Sequence, residues 1–138
     1  MSYVVGFDYG TKSIGVAVGQ QITNTASELT VVNFIKGAPD WLKISNLISE
    51  WSPDFLVVGL PLNMDGSQQH LTVLAKKFGD LLRNKYNKPV FFYDERLTTY
   101  SAKHFLINNH GLKSLNKKRI DSVSACLILE GYLASCAS

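Results

Sequence analysis

The sequence predicts a mixed α/β domain whose sheet opens as an antiparallel meander and carries helices on both faces. Short apolar runs rich in β-branched residues come first along the chain, and later apolar runs alternate with helical patterns. Right-handed crossovers would make those later strands parallel. With 138 residues, 46% of them hydrophobic, we expect a single domain over residues 1–138 that encloses one core.

The first part of the chain predicts three strands and a helix. Residues 3–7 and 14–18 have the pattern of two strands joined by the turn "YGTK", and residues 28–35 predict a third strand. Asp40 is suited to cap a helix that runs to about Trp51. The apolar residues of this helix recur at three- and four-residue steps and should pack on the sheet: Trp41, Ile44, Leu47, Ile48 and Trp51.

The second part predicts two more strands and three helices. The run "FLVVG" at 55–59 is typical of a strand buried on both faces, and the loop "GLPLNMDGS" begins at its end. Helices are predicted at about 68–86, 99–109 and 120–134, with a short strand at 89–93 before the second of them. The polar, basic segment "HGLKSLNKKR" separates the last two helices. The predicted buried stripe of the first helix is Leu71, Leu74, Phe78, Leu81 and Leu82.

Composition and charge narrow the possible classes. No apolar stretch approaches the roughly 20 residues of a membrane span, and the N-terminus has no signal-peptide pattern, so we expect a cytoplasmic protein without membrane contact. The net charge of +3 permits a polyanionic partner without establishing one. Cys126 and Cys136 would lie about 15 Å apart along a helix, too far for a disulfide, so we expect free thiols that pack as small apolar side chains.

Acidic residues stand at the ends of three predicted elements. Asp8 ends the first strand, Asp94 and Glu95 follow the last strand, and Asp121 begins the final helix. Carboxylates that converge at one sheet edge could hold two divalent cations about 4 Å apart and activate water against a phosphodiester. Taken singly, Asp94 could end a strand or begin a turn, and Asp121 could serve the dipole or the cap of its helix. Asp8 is more informative, because a carboxylate at the end of an apolar strand needs a partner.

Four segments, "FDYGTKSIGVAVG", "VVGLPLNMDGS", "DERLTT" and "KKRIDSVSA", resemble the successive signature blocks of the YqgF/RuvX family over nearly the whole chain. The resemblance implies the RNase H-like fold of the RuvC resolvases and a nuclease dependent on Mg²⁺ or Mn²⁺ that matures the 5′ end of pre-16S rRNA. An older assignment of the family is Holliday-junction resolution. By motif, the catalytic and metal-binding acids would be Asp8, Glu95 and Asp121. Asp94 stays open as an alternative to Glu95, since strand alternation points the two carboxylates to opposite sides.

Polar and basic residues near these acids are candidates for substrate binding. The turn after the first acid could approach a scissile phosphate, and the arginine after Glu95 could bind either a carboxylate or a phosphate. The basic residues ahead of the last acid would contact a sugar-phosphate backbone. A solvated turn or loop is the plain alternative for each of them. The candidates are Thr11, Lys12, Asn63, Arg96, Lys117, Lys118 and Arg119.

Two further classes of function remain open. The stretch "DYGTKSIG" is similar to the phosphate-binding hairpin of actin-like and sugar-kinase ATPases, which close two domains around a nucleotide, whereas 138 residues supply one. A non-catalytic RNA-binding assembly factor could keep the same fold, because three carboxylates do not by themselves establish a productive metal site. The expected partner is nucleic acid, either pre-rRNA or branched DNA. The protein would be a monomer or a homodimer, and a junction resolvase would be expected to work as a dimer.

Overall fold

A computed structural model describes residues 2–96 and 117–137, without the side chains of residues 117–122 and 137. The helix predicted at 99–109 lies outside the described residues. The described elements, in chain order, are β1 (Tyr3–Tyr9), β2 (Ser13–Gln20), β3 (Thr25–Ile35), β4 (Ala38–Pro39), α1 (Trp41–Trp51), β5 (Phe55–Leu60), α2 (His70–Tyr86), β6 (Val90–Asp94) and α3 (Lys117–Ala137).

The strands form one mixed sheet in the order β4-β3-β2-β1-β5-β6. Strands β1 to β4 pair antiparallel in succession, and β5 pairs parallel with both β1 and β6. The predicted meander followed by a parallel portion is therefore confirmed. As a result, the carboxyl ends of β1, β5 and β6 meet at one edge of the sheet, where the loops of α/β proteins form their sites.

Helices cover both faces of the sheet, as predicted. Successive strand residues point to opposite faces, and in β1 Val5 and Phe7 belong to the core that α1 and α2 cover, whereas Val4 belongs to the core beneath α3. Burial of these apolar side chains is the main stabilising contribution to the fold. Helix residues in the first core are Ile44, Ile48, Ala75, Phe78 and Leu82, and those in the second are Ala125, Ile128, Leu129 and Leu133.

The ends of α1 and α2 follow from local side-chain chemistry. Asp40 caps α1 as predicted, because its carboxylate accepts the N–H of Lys43 at 3.2 Å. At the start of α2, the Gln69 N–H donates to Thr72 Oγ1 at 3.1 Å and the Thr72 N–H donates to Gln69 O at 3.0 Å, so the helix begins at His70. The predicted stripe of α2 is wrong at Leu81, which is 46% exposed. Gly79 is buried instead, because the ring of Phe92 packs where a Gly79 side chain would stand.

Several boundaries differ from the predictions. Strand β3 begins at Thr25 and pairs along β2 through an irregularity at Val16 and Ala17. Helix α3 begins at Lys117, so the basic residues predicted to lie in a loop, Lys117, Lys118 and Arg119, occupy its first turn.

The two cysteines are free thiols, as predicted. Their predicted burial holds for Cys126 in part and is wrong for Cys136, which is exposed. Across residues 2–96 and 117–137, none of the helices combines the length and apolar character needed to cross a bilayer.

Candidate active site

Asp8 is a largely buried carboxylate near the carboxyl end of β1. It pairs with Gly15 of β2 and is only 8% exposed. Strand alternation places it on the same face as Val4, which packs beneath α3. A charge at such a position is stable only with hydrogen-bonding or ionic partners, which makes it a suitable ligand for a cation.

Glu95 lies directly after β6 and points to the same face of the sheet. Its N–H donates to Leu60 O at 3.1 Å, which extends the pairing of β5 and β6 by one residue. Its Oε2 is shielded from solvent and lies above Gly59, where a Cβ would come within 3.0 Å of that oxygen. The side chain of Ile128 from α3 fills the rest of this space. Glycine at position 59 therefore provides the seat for the Glu95 carboxylate.

The register of the parallel strands brings Asp8 and Glu95 together. Phe7 of β1 pairs with Val58 of β5, so the next residues, Asp8 and Gly59, are neighbours on adjacent strands, which run about 4.8 Å apart. Because the Glu95 carboxylate lies above Gly59, the two acids share one face and one edge of the sheet.

Asp94 is committed to a different interaction. Its Oδ2 accepts hydrogen bonds from Arg96 Nε at 2.7 Å and Nη2 at 2.6 Å, and its Oδ1 accepts the Arg96 N–H at 3.0 Å. The hydrogen bonds from the Arg96 side chain lower the pKa of Asp94. Of the two adjacent acids, Glu95 is thus the one that shares a face with Asp8.

Arg96 also connects β6 to the loop after β5. Its Nη1 donates to Met64 O at 3.2 Å, so the exposed arginine binds both a carboxylate and a carbonyl. The loop folds as a tight turn, in which Gly66 N–H donates to Asn63 O at 2.8 Å and Gly66 has a φ of 89°. Asn63 Nδ2 donates to Ser67 Oγ at 3.0 Å, so its side chain stabilises the turn itself.

Asp65 completes this turn. It accepts hydrogen bonds from Ser67 Oγ at 2.6 Å and from the Ser67 N–H at 2.9 Å. These bonds, with a smaller contribution from the charge of Arg96, lower the pKa of Asp65. The loop is therefore an ordered rim beside the two acids.

Thr11 and Lys12 lie in the turn between β1 and β2. Both are exposed, and the turn is closed by Gly10 N–H, which donates to Ser13 O at 3.0 Å. The turn follows Asp8 by a few residues at the same edge of the sheet. Both side chains are therefore accessible to a ligand that reaches the acids.

The backbone of α3 carries position 121 toward the same edge. Ile128 packs at Gly59 near the carboxyl end of β5, and Tyr132 packs at Phe55 at its amino end, so α3 runs antiparallel to that strand. Asp121 is the fifth residue of α3, which rules out the predicted alternative of an N-cap. It precedes Ala125 by four residues and Ile128 by seven, and therefore lies on the stripe that faces the sheet. The side chains of Lys117, Lys118, Arg119 and Asp121 are outside the described part of the structure.

The donor set fits a hard divalent cation. Asp8 and Glu95 offer carboxylate oxygens on one face, and Mg²⁺ is usually bound by one or two carboxylates together with water and substrate phosphate. Among the side chains that the structure describes, no three His, Cys, Asp or Glu residues form a group that could hold a metal ion. The third predicted ligand, Asp121, is outside that set.

Two further buried residues were not predicted to have a role from the sequence. Gly59 provides the space for the Glu95 carboxylate, and its signals in the sequence were its place at the end of an apolar strand and within the block "VVGLPLNMDGS". Ser124 is 1% exposed, and its Oγ has no hydrogen-bond partner within the described residues. The block "KKRIDSVSA" contains Ser124, but a serine in a helix is common and carried no prediction of its own.

Comparisons with known proteins find similar sequences over nearly the whole chain. The sequence model of a family described as "RuvX: Holliday junction resolvase" matches residues 2–135. Relatives named "Putative pre-16S rRNA nuclease" include one from Wigglesworthia glossinidia brevipalpis, 53% identical over 132 residues that cover 96% of this chain and 92% of the relative. A second, from Haemophilus ducreyi, is 54% identical over 129 residues and covers 94% of each chain.

Solved structures share the fold at low sequence identity. Thermus thermophilus RuvC in complex with Holliday junction substrate superposes with a TM-score of 0.57 at 16% identity, covering 100% of this chain and 97% of the other. Fowlpox virus resolvase with Holliday junction DNA gives a TM-score of 0.59 at 14% identity and covers 99% of each chain. The predicted RNase H-like fold, with its mixed sheet between helices, is confirmed.

Proposed function

This chain belongs to the RuvX family, and from that premise we propose that it is a metal-dependent nuclease that processes the 5′ end of pre-16S rRNA. The observation that carries the proposal is the arrangement of Asp8 and Glu95 on one face, at the edge where β1, β5 and β6 end. The names of relatives more than half identical over nearly their whole length support the choice of substrate.

We propose that Asp8, Glu95 and Asp121 hold Mg²⁺ or Mn²⁺. When bound, a pair of such ions supplies an activated water and stabilises charge on the attacking and leaving oxygens of the phosphodiester. The chain contributes rigidity: backbone pairing fixes Asp8, and the seat formed by Gly59 and Ile128 fixes the Glu95 carboxylate. Such positioning matters because catalysis falls steeply when reacting groups shift by about 1 Å.

We propose two kinds of contact with the nucleic acid. Thr11 and Lys12 lie on the exposed turn after Asp8, where they would bind the phosphate that is cleaved. Lys117, Lys118 and Arg119 begin α3 and would bind the adjoining sugar-phosphate backbone. Asn63 and Arg96 would act at the rim, where Arg96 holds the loop against β6.

A four-way DNA junction is the second candidate substrate, because the matched family is described as a Holliday junction resolvase. Both substrates present phosphodiesters to the same carboxylates, so the difference lies in the shape that the protein recognises. A resolvase cuts two strands symmetrically, and that function would require a homodimer. An rRNA precursor is a cytoplasmic substrate in bacteria, and we expect the protein in that compartment.

The test is a cleavage assay on labelled pre-16S RNA and on a four-way junction, each with Mg²⁺, Mn²⁺ or EDTA. The wild type is compared with Asp8→Asn and with Asp80→Asn, a control that changes an exposed aspartate on α2. Metal-dependent cutting of the RNA that is lost only in Asp8→Asn is the expected result. Paired cuts in the junction alone would favour the resolvase function. RNA binding in EDTA without cutting under any condition would overturn the nuclease proposal in favour of a binding factor.

A further inference from the structure

The face of β5 and β6 beside α3 carries a row of aromatic side chains that leads away from Glu95. Phe91 and Tyr93 of β6 point to the same face as Glu95, which follows the strand, and Phe55 of β5 joins them. Helix α3 packs closely over β1 and β2, where Leu129 contacts Gly6 and Gly19. Phe91 is 42% exposed, which is unusual for a phenylalanine on a face that is otherwise covered by a helix.

Two of these rings, Phe55 and Phe91, form a preformed aromatic wall with Tyr132 of α3. Phe91 stacks on Tyr132 of α3, with ring centroids 5.7 Å apart and an interplanar angle of 22°. Phe55 meets Phe91 edge-on at 5.3 Å and meets Tyr132 at 5.9 Å. Rings held by one another in this way lose little conformational entropy when a planar ligand stacks on them.

A cavity of about 410 Å³ opens against this wall, at the end of the strands opposite the candidate active site. Its volume lies within the range of about 300–1,000 Å³ found for small-ligand sites. Polar side chains complete the lining: Gln21 and Asn24 from the turn between β2 and β3, and Asp54 just before β5. Two amides and a carboxylate supply both donors and acceptors beside an apolar wall, which is the chemistry that binds a nucleobase by stacking and by its edge.

The pocket formed by Gln21, Asn24, Asp54, Phe55, Phe91 and Tyr132 lies within reach of a strand held at the acids. Phe91 and Glu95 are four residues apart on an extended strand, a distance of about 13 Å. A few nucleotides of single strand span that distance. Lys88 lies next to the pocket in the chain, where its ammonium donates to Pro53 O at 2.8 Å and adds positive charge for a phosphate.

We propose that this pocket, here called the base pocket, binds one unpaired base of a single-stranded nucleic acid whose phosphate backbone continues to Asp8 and Glu95. The inference rests on the proposed function and extends it, because it assigns a place for a base several nucleotides from the cleaved bond. A base held there would fix the register of the strand, and thus the position of the cut, without taking part in the chemistry.

The first experiment measures binding in EDTA, where no cleavage occurs, by fluorescence anisotropy of a labelled single-stranded RNA. Phe91→Ala and the milder Phe91→Leu are compared with Leu42→Ala, a matched control that changes a 73%-exposed leucine on α1. Loss of one stacked base predicts about a tenfold or greater fall in affinity for Phe91→Ala, a smaller fall for Phe91→Leu and none for Leu42→Ala. Thermal unfolding of each variant establishes that the fold is intact.

The second experiment replaces one base at a time in the RNA with an abasic site. For the wild type, removal of the base at a single position should weaken binding about as much as Phe91→Ala weakens binding of the intact RNA. Phe91→Ala should bind that abasic RNA and the intact RNA with equal affinity. In the cleavage assay, Phe91→Ala should raise KM and leave kcat nearly unchanged, since the contact is equal in ground and transition states.

These outcomes separate the base pocket from the nuclease proposal. The base pocket would be overturned if the wild type and both Phe91 variants bind RNA equally well, even if metal-dependent cleavage is found. It would also be overturned if removal of a base weakens binding to Phe91→Ala as much as binding to the wild type. If no cleavage occurs but Phe91→Ala binds the intact RNA more weakly and removes the effect of one abasic position, the base pocket stands and the nuclease proposal falls. A loss that is seen only with duplex or junction DNA would also contradict the pocket, because paired bases cannot enter it.

Discussion

The carboxylate of Glu95 rests on the backbone of Gly59, and the absence of a side chain at position 59 is what makes room for it. A Cβ on Gly59 would come within 3.0 Å of Glu95 Oε2 and would lie 2.5 Å from Ile128 Cδ1. Since Gly59 adjoins Asp8 across the parallel strands, the glycine sets the position of one acid relative to the other. A residue without a side chain therefore helps to fix the relative positions of two of the proposed metal ligands.

The first prediction concerns Gly59→Ala. The added methyl group must displace the Glu95 carboxylate or the Ile128 side chain, and overpacking of this kind costs about 1–3 kcal/mol of the free energy of unfolding. A carboxylate moved by about 1 Å should lower kcat about 100-fold. Urea denaturation measures the first effect, and metal-dependent cleavage under saturating substrate measures the second.

Compensating variants identify which neighbour is displaced. Glu95→Asp shortens the carboxylate side chain, so Gly59→Ala should destabilise the Glu95→Asp protein less than it destabilises the wild type. Ile128→Val relieves only the apolar contact and serves as the matched comparison. The clash with Ile128 would be the important one if Gly59→Ala and Glu95→Asp lower stability additively, while Ile128→Val restores part of the stability lost in Gly59→Ala.

The second prediction is that Asp8→Asn abolishes cleavage and leaves the fold intact. The amide has nearly the same shape as the carboxylate but offers one neutral oxygen to a cation, and loss of several kcal/mol of charge stabilisation corresponds to at least about a thousandfold in rate. The affinity for Mn²⁺, measured by electron paramagnetic resonance of the free ion, should fall in parallel. Unchanged Mn²⁺ binding in Asp8→Asn, with Asp80→Asn as control, would remove Asp8 from the proposed ligand set.

The sequence predicted the sheet and its faces well, because strand alternation and helical spacing are local patterns. Asp8 was recognisable for the same reason, as a charge at the end of an apolar strand. Alternation also predicted that Asp94 and Glu95 point apart, but only the pairing of β6 with β5 determines which of them faces α3. The start of α3 was missed, because three consecutive cationic residues oppose the helix dipole at an N-terminus and are more typical of a loop.

The third prediction concerns how the stability that Asp94 contributes depends on pH. Hydrogen bonds from Arg96 lower the pKa of Asp94 in the folded protein, so the interaction stabilises the fold above the ordinary aspartate pKa of about 3.9 and is lost as the pH falls through the lowered value. The melting temperature of wild type should exceed that of Asp94→Asn at pH 6, and the difference should shrink toward pH 3. The effect will be small, since both side chains are more than a third exposed.

Arg96→Gln tests the same pair from the other side. Without the guanidinium, the difference in melting temperature between proteins with Asp94 and with Asp94→Asn should no longer depend on pH. The loop should also become less stable, because Arg96 Nη1 no longer donates to Met64 O. A difference between wild type and Asp94→Asn that stays constant from pH 6 to pH 3 would contradict the assignment of the lowered pKa to this pair.

The fourth prediction concerns the two thiols. Burial, together with the negative charge of Glu130, raises the pKa of Cys126 to about 12, and its Sγ–H donates to Ala26 O at 3.3 Å. Only the thiolate attacks a disulfide or maleimide reagent, so Cys126 should be almost inert at pH 8, whereas the exposed Cys136 should react quickly. One thiol should therefore label rapidly in the native protein and two in urea. Cys136→Ser should lose the rapid phase and Cys126→Ser should keep it, and a rapid phase that survives in Cys136→Ser would mean that α3 does not hold Cys126 against β3 as described.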